Sequence, residues 1–187
     1  MKTGRIFWAT LAGLAMTLPA SMASAQLNST ALPIALNAKL NESLTVTLSA
    51  NAVNFNLSAG SPTNAGSANI TATTAWTLAP GRTAVGVYAY FTSATTALSD
   101  GSGNSIPSSA FSIADNATPA AALTNTVAFG GANAGLQLAN VPITTTNRSS
   151  SRTDAMTFNI NLTGGTLPQL PANTYTGTLN IQAQATT

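Results

Sequence analysis

The strongest constraint on this chain is an alternation of apolar and polar side chains along residues 154–185. A period of two places the apolar and the polar residues on opposite faces of a pleated strand. An apolar face opposite a Thr-, Asn- and Gln-rich face is typical of an antiparallel sheet with one side packed and one side wet. The pattern predicts two long strands, interrupted by Gly164-Gly165 and two prolines. The apolar positions are Met156, Phe158, Ile160 and Leu162, then Tyr175, Gly177, Leu179, Ile181 and Ala183.

The rest of the chain carries shorter segments of the same kind, separated by turn residues. No stretch has an amphipathic helical period over three turns. Many short strands with a turn about every ten residues favour an all-β antiparallel β-sandwich of the immunoglobulin-like or pilin-like Greek-key type. Polar segments at 100–104 and 147–153 are predicted loops. Strands are predicted near 43–50, 53–58, 67–78, 84–92, 109–113, 124–129, 135–139 and 141–146.

The first residues have the three regions of a secretory signal peptide. Lys2 and Arg5 precede the apolar run 6–18, and Ala23-Ser24-Ala25 is a small-residue cleavage site. We therefore predict a signal peptide over residues 1–25 and a mature chain beginning at Gln26. The protein is then secreted, with the periplasm as a stage in transit and the extracellular space or cell surface as its destination. No later segment approaches the ~20 apolar residues of a membrane helix.

Charge is scarce, at 5% of residues. Ordinary domains are about a quarter charged. Beyond the signal, four basic and four acidic residues balance, so no basic patch favours nucleic acid. Neutral hydroxyl- and amide-rich faces suit repeated contact between identical copies, because no like-charge repulsion opposes it. A low-charge secreted protein without a partner has the same composition.

The inventory of reactive side chains argues against an enzyme. The chain has no His and no Cys, which excludes Ser-His-Asp and Cys-His catalysis and removes the imidazole and thiolate metal ligands. The remaining acids, Glu42, Asp100, Asp115 and Asp154, lie in no sequence setting that indicates a raised pKa, and Asp100 and Asp115 resemble loop and turn residues. We predict no catalytic residue, cofactor or metal. The DGSGN segment at 100–104 is a turn rather than a calcium loop, since it lacks the alternating acidic spacing.

Three aromatic residues, Trp76, Tyr88 and Tyr90, form a candidate platform for stacking on sugars. Packing in the core or between strands is the commoner use of such side chains. The platform supports an alternative function, a monomeric extracellular carbohydrate-binding module.

Residues 26–42 form an N-terminal arm ahead of a domain at 43–187. The arm alternates like a strand, and its apolar residues share one face. A strand of this form can be donated to the sheet of a neighbouring copy, where main-chain pairing supplies affinity and alternate side chains fill pockets. An ordinary first strand paired within its own domain has the same pattern. The candidate donor contacts are Leu32, Ile34, Leu36, Ala38 and Leu40.

The signal, the arm, the Ala/Thr/Asn-rich domain and the segment PANTYTGTLNI at 171–181 resemble bacterial pilin-type domains, nearest to the spore coat U and archaic chaperone–usher pilin group. Unlike those pilins, this chain has no cysteine and ends in Ala185-Thr186-Thr187. The resemblance implies a homopolymer built by strand donation, with a periplasmic chaperone as a further partner. The predicted function is a structural subunit of a surface fibre, pilus or coat that serves adhesion or biofilm.

Overall fold

The computed structural model describes residues 27–187 except residue 117. The predicted signal peptide and Gln26 therefore lie outside the described residues. One compact unit begins at Lys39 and runs to Thr187, and residues 27–38 belong to a separate unit. No helix among the described residues is long and apolar enough to cross a membrane.

Strands and two single-turn 3-10 helices make up the regular structure of residues 39–187. The longest strand has 12 residues, two strands have 8 residues each, and four strands have only two. The 3-10 turns span Ser108–Ala110 and Leu167–Gln169. The strands are β1 Ser43–Leu48, β2 Asn64–Ala65, β3 Ile70–Thr77, β4 Ala84–Tyr90, β5 Leu98–Ser99, β6 Ser105–Ile106, β7 Phe111–Asp115, β8 Ala121–Ala122, β9 Gly135–Pro142, β10 Ser149–Ile160 and β11 Asn180–Thr186.

All strand pairs are antiparallel, which confirms the predicted all-β antiparallel fold. The first sheet has the order β1-β3-β10-β7-β8, with β2 on the end of β10. The second sheet has the order β11-β4-β9, and β5 pairs with β6 alone. Buried side chains of both main sheets share one core cluster, so the sheets pack face to face as a sandwich. The immunoglobulin-like Greek key remains a prediction.

The core is built from the inward residues of the central strands. On β3, and on β10 from Asp154 to Ile160, every second residue is buried, as the period-two pattern predicts. Phe55, Phe91 and Phe158 each pack against Phe111 in the core, with Phe91 and Phe111 at a centroid distance of 5.3 Å and an interplanar angle of 83°. This edge-to-face arrangement is the favoured one for aromatic pairs. A smaller cluster of Trp76, Leu78 and Val85 closes the other part of the core.

Several predicted boundaries were wrong. The segment 147–153 was predicted to be a loop, yet β10 begins at Ser149 and pairs with β3. Ser149, Ser151 and Thr153 face outwards, while the polar Ser150 and Arg152 share the inward parity of Asp154, so the polarity of both faces concealed a strand. The predicted strand 135–139 and only the first two residues of the predicted strand 141–146 form the single strand β9, which ends at Pro142. The predicted strand 53–58 contributes only the bridge Phe55–Gly66, and 124–129 only the bridge Asn125–Gly135.

The two strands of the C-terminal segment lie in different sheets. β10 belongs to the first sheet, where β3 and β7 flank it, and β11 is at the edge of the second sheet. The second of these strands begins at Asn180, later than the alternation at Tyr175 predicts. Residues before it are held instead by an isolated bridge between Ser99 and Thr176.

Candidate functional site

The main sheets of the described part of the chain end in the edge strands β1, β8, β9 and β11, and two of these edges, β1 and β11, are candidates for strand addition. β1 pairs with β3 only, and β11 pairs with β4 only. Some Cα atoms of β1 and β11 come within 8 Å of each other, so the two edges are neighbours on one side of the sandwich. We call this pair of edges the open seam. An unpaired strand edge presents N–H and C=O groups that can pair with another strand.

The hydrogen-bond pattern identifies which residues present these groups. Ser49 donates its N–H to Thr71 O at 2.9 Å, and Thr83 donates its N–H to Thr186 O at 2.8 Å. Because bonded residues alternate along an antiparallel pair, the residues in between direct their N–H and C=O groups to the free side. On β1 these residues are Leu44, Val46 and Leu48, and on β11 they are Ile181, Ala183 and Ala185.

The same six residues are incompletely buried. Their side chains lie on the inner face of the sandwich, where the central strands are sealed: Val85, Val87 and Ala89 of β4 are each 0% exposed. On the edge strands, in contrast, Leu48 is 44% exposed and the other five are half-buried. The apolar interior is therefore uncovered along the seam, and an added strand with apolar residues on one face would cover it.

One end of the seam is closed by an ion pair. Arg82 donates to both carboxylate oxygens of Glu42, at 3.1 Å each, and its Nη1 donates to Ala185 O at 3.3 Å. Glu42 also accepts the N–H of Ala79 at 2.8 Å. The Arg82 bond, followed by the Ala79 bond, lowers the pKa of Glu42. This clasp fixes the residue that immediately precedes β1.

The arm residues carry exposed apolar side chains of the kind that could cover the open seam. In the described part of the arm no strand is assigned, although the alternation is strand-like. A single strand has no pairing partner by itself, which accounts for the difference. The large side chains are exposed: Leu32 by 87%, Ile34 by 84%, Leu36 by 90% and Leu40 by 84%, and Ala38 is exposed as well.

The three predicted platform aromatics are not brought together. Trp76 is 4% exposed on the inner face of β3, and its Nε1–H donates to Asn147 O at 2.9 Å. Tyr88 and Tyr90 are on the outer face of β4, because the alternate residues Val85, Val87 and Ala89 face the core. The structure thus separates Trp76 from the two tyrosines and places a different ring, Phe129, beside them.

The Asp100 segment has the hydrogen bonds of a turn. Asp100 Oδ1 accepts the N–H groups of Ser102 at 2.8 Å and Asn104 at 3.1 Å, and Oδ2 accepts the amide groups of Asn104 and Asn173. These donors, with Asn104 first, lower the pKa of Asp100. The Asp100 carboxylate thus accepts four hydrogen bonds from N–H groups of the chain. No group of three or more His, Cys, Asp or Glu among the described residues is placed to hold a metal ion.

Sequence reasoning missed a buried charged cluster, in which Arg152 and Asp154 are on β10 and Asp115 is on the adjacent strand β7. Arg152 Nε donates to Asp154 Oδ1 at 2.5 Å and Nη2 to Asp115 Oδ2 at 3.5 Å. The side chains of Asp115 and Asp154 are only 6% and 0% exposed. Asp115 is not a turn residue: burial, and then the neighbouring Asp154 charge, raise its pKa. In the sequence, Arg152 and Asp154 alternate in step with the apolar Met156 and therefore belong to the same inward face. That alternation was the signal available in the sequence.

Comparisons with known proteins give no further guide. No protein-family model, no curated protein and no solved structure matches the chain.

Proposed function

We propose that this chain is a self-assembling structural subunit, in which the arm of one copy adds a strand to the open seam of the next. The observation that carries the proposal is a complementary pair: an alternating arm with exposed apolar residues, and two unpaired edges with an uncovered apolar interior. Strand addition joins such surfaces by main-chain hydrogen bonds and by side chains that fill pockets.

The dimensions of the two parts agree. At about 3.3 Å per residue, the segment from Leu32 to Leu40 is long enough to cover the six-residue strand β1. Its five apolar residues have the same two-residue spacing as the three inward residues of each edge strand. Full burial of a Leu or Ile side chain contributes about 1.5–3 kcal/mol. Four such residues therefore offer a substantial gross gain, against which the ordering of the arm must be set.

Pairing with β1 of the same copy is disfavoured by the connection. Only Asn41-Glu42 would separate an arm strand ending at Leu40 from β1, and a hairpin that short needs a turn with positive φ, for which Asn-Gly or Asp-Gly is preferred. Glu42 is instead held by Ala79 and Arg82. A parallel arrangement beside β1 would need a crossover of about a dozen residues. These constraints favour donation to a second copy.

Donation between copies gives an open-ended assembly. The donating and accepting surfaces differ, so the contact is heterologous and generates a filament unless the rotation closes a ring. The outward residues of β1, β3 and β10 in the first sheet are uncharged, mostly Ser and Thr, which removes like-charge repulsion between adjacent subunits. With the predicted signal peptide, these features support a secreted surface fibre, pilus or coat that serves adhesion or biofilm. The exposed arm and seam also give a periplasmic chaperone a surface to protect in transit.

The test compares two charge-matched variants of the chain beginning at Gln26. Ile34→Asp with Leu36→Asp puts two carboxylates on the apolar face of the arm, whereas Ala35→Asp with Asn37→Asp puts them on the opposite face. Negative-stain microscopy and light scattering should find polymers for the unmodified chain and for the second variant, and monomers for the first. Monomers of the unmodified chain, or equal polymerisation of both variants, would contradict the proposal.

A further inference from the structure

The outer face of the second sheet carries a cluster of aromatic and amide side chains that strand donation does not use. Tyr88 and Tyr90 are on β4, and Phe129 packs on both from the preceding loop of β9. The centroid of Phe129 is 5.9 Å from that of Tyr88 at 74°, and 5.8 Å from that of Tyr90 at 31°. All three rings are partly exposed. We call this surface the aromatic face.

Two glycines hold the tyrosine rings in place. A Cβ atom on Gly86 would lie 2.4 Å from the Tyr88 hydroxyl and 2.7 Å from Cζ, so the Tyr88 ring lies against the bare backbone of β4. A Cβ atom on Gly130 would lie 2.3 Å from Tyr90 Cδ2, and Gly130 has a φ of +78° that favours glycine. Because Gly86 and Gly130 have no side chains, the two tyrosine rings have room to lie close to the neighbouring backbone.

Amide side chains flank the rings on both neighbouring strands. Tyr88 is opposite Gln182 of β11 and Gln137 of β9, and the next row places Asn140 beside Gly86. Gln137, Asn140 and Gln182 are exposed. A register shift between Val87 and Tyr88 admits one extra residue in β9, which brings Gln137 rather than its neighbour opposite Tyr88.

One hydrogen bond orients the amide side chain of Gln182. The Tyr90 hydroxyl donates to Gln182 Oε1 at 2.7 Å, which directs the Gln182 N–H₂ group away from Tyr90. That N–H₂ group has no partner among the described residues. Amides both donate and accept hydrogen bonds, as do sugar hydroxyls. The outward positions of β4, β9 and β11 in the described structure include no charged residue.

We propose that the aromatic face binds a neutral polysaccharide, with the Tyr88 and Phe129 rings against sugar C–H surfaces and Gln137, Asn140 and Gln182 at sugar hydroxyls. The absence of Arg and Lys on this described face selects against acidic glycans, which need cationic partners. The shallow, open shape suits the side of a long chain rather than an enclosed monosaccharide. The site uses side chains on the outer face of the second sheet, whereas strand donation uses main-chain groups and the inner face of β11, so a polymer would display the site once per subunit.

Affinity electrophoresis tests the proposal on the chain beginning at Gln26, in gels that contain laminarin, galactomannan or the acidic polysaccharide alginate. The monomeric Ile34→Asp/Leu36→Asp variant is run as well, so that assembly and sugar binding are measured separately. We expect retardation by at least one of the two neutral polysaccharides and none by alginate. No retardation by either neutral polysaccharide, or retardation by alginate alone, would overturn the proposal.

Variants locate the site. Tyr88→Ala should weaken binding about tenfold, since one aromatic contact and its buried area are lost, while Tyr88→Phe keeps the ring and should bind as the unmodified chain does. Gln137→Ala changes an exposed side chain, folds without difficulty, and should weaken binding several-fold. Its matched control, Gln169→Ala, is an exposed amide outside the aromatic face and should have no effect. Unchanged binding by both Tyr88→Ala and Gln137→Ala would refute the assignment.

Discussion

Replacement of Arg152 by Met tests the role of the buried charged cluster in stability. Arg152 is the only cation that contacts Asp115 and Asp154 in the described structure, and it bonds both. Two carboxylate oxygens, Asp115 Oδ1 and Asp154 Oδ2, are already buried without a partner. Methionine retains most of the aliphatic length and removes the charge, so the variant leaves two acids facing each other in the sandwich interior.

The magnitude follows from the burial of the three side chains. Removal of one partner of a buried ion pair costs about 3–5 kcal/mol, because an uncompensated charge remains. Since the Arg152 side chain is 34% exposed, solvent screens part of its interaction, and we expect the lower end, about 3 kcal/mol. For a domain of this size that corresponds to a melting temperature lower by about 6–12 °C.

The loss of stability should depend on pH in a defined direction. Folding raises the pKa of Asp115, so ionisation of Asp115 removes stability as the pH rises from its unfolded value, about 3.9, through the higher folded value. Arg152 opposes this rise by favouring the charged form. Without Arg152 the folded pKa increases further. The destabilisation by Arg152→Met should therefore be greatest near pH 7 and shrink as the pH falls towards 4.

Urea denaturation at pH 4, 5.5 and 7 measures this dependence, with Arg82→Met as the matched control. Arg82 forms an ion pair with Glu42 in which both side chains are about one-third exposed, at 33% and 38%. An exposed ion pair contributes little to stability because solvent screens it, so the control should change the free energy of unfolding much less than Arg152→Met does. Equal effects of the two substitutions, or a larger effect of Arg152→Met at pH 4 than at pH 7, would refute the reasoning.

Three further predictions concern packing and the seam. Gly177→Ala should lower the free energy of unfolding by about 2 kcal/mol or more, because the added Cβ would lie 2.0 Å from the main-chain oxygen of Ala97. In the control Gly164→Ala the added Cβ meets no atom within 4 Å, so the free energy of unfolding should change by less than about 0.5 kcal/mol. Thermal melts of both variants measure the difference. Trp76→Phe should cost about 1–3 kcal/mol in urea denaturation, because the Asn147 carbonyl loses its donor; an unchanged midpoint would contradict this. Leu48→Ser should change monomer stability by no more than about 1 kcal/mol, given its exposure, yet reduce polymer yield in light scattering; normal polymers would count against the seam.

The alternation of side chains predicted the sheets better than it predicted their edges. On β3 the buried set Ile70, Ala72, Thr74 and Trp76 follows the period of two. The start of β10 was missed because Ser149 to Thr153 are polar on both faces: the outward residues meet solvent and the inward Arg152 meets buried acids. Composition cannot distinguish such a strand from a loop, since the compensating charges are on β7 and on β10 itself.

The candidate site divides in the same way between local and long-range information. The arm and its five apolar residues are a local pattern, so the sequence alone could nominate them as a candidate donor strand. The candidate acceptor consists of two strands more than a hundred residues apart that become neighbours only through the order of the sheets. Likewise, the two-residue spacing of Tyr88 and Tyr90 predicted that they share a face of one strand. Phe129 joins them only because a loop brings it there. The inward position of Trp76 depends on which face of β3 meets the second sheet.

The most direct test of strand donation is amide hydrogen exchange of the chain beginning at Asn41, with and without a synthetic peptide of residues 27–40. We predict that the peptide slows exchange at the edge-facing amides of one of the two edges, either Leu44 and Val46 of β1 or Ile181 and Ala183 of β11, and that a peptide with Ile34→Asp and Leu36→Asp does not. Protection confined to the free edge of β9, or no protection at any edge, would contradict the account.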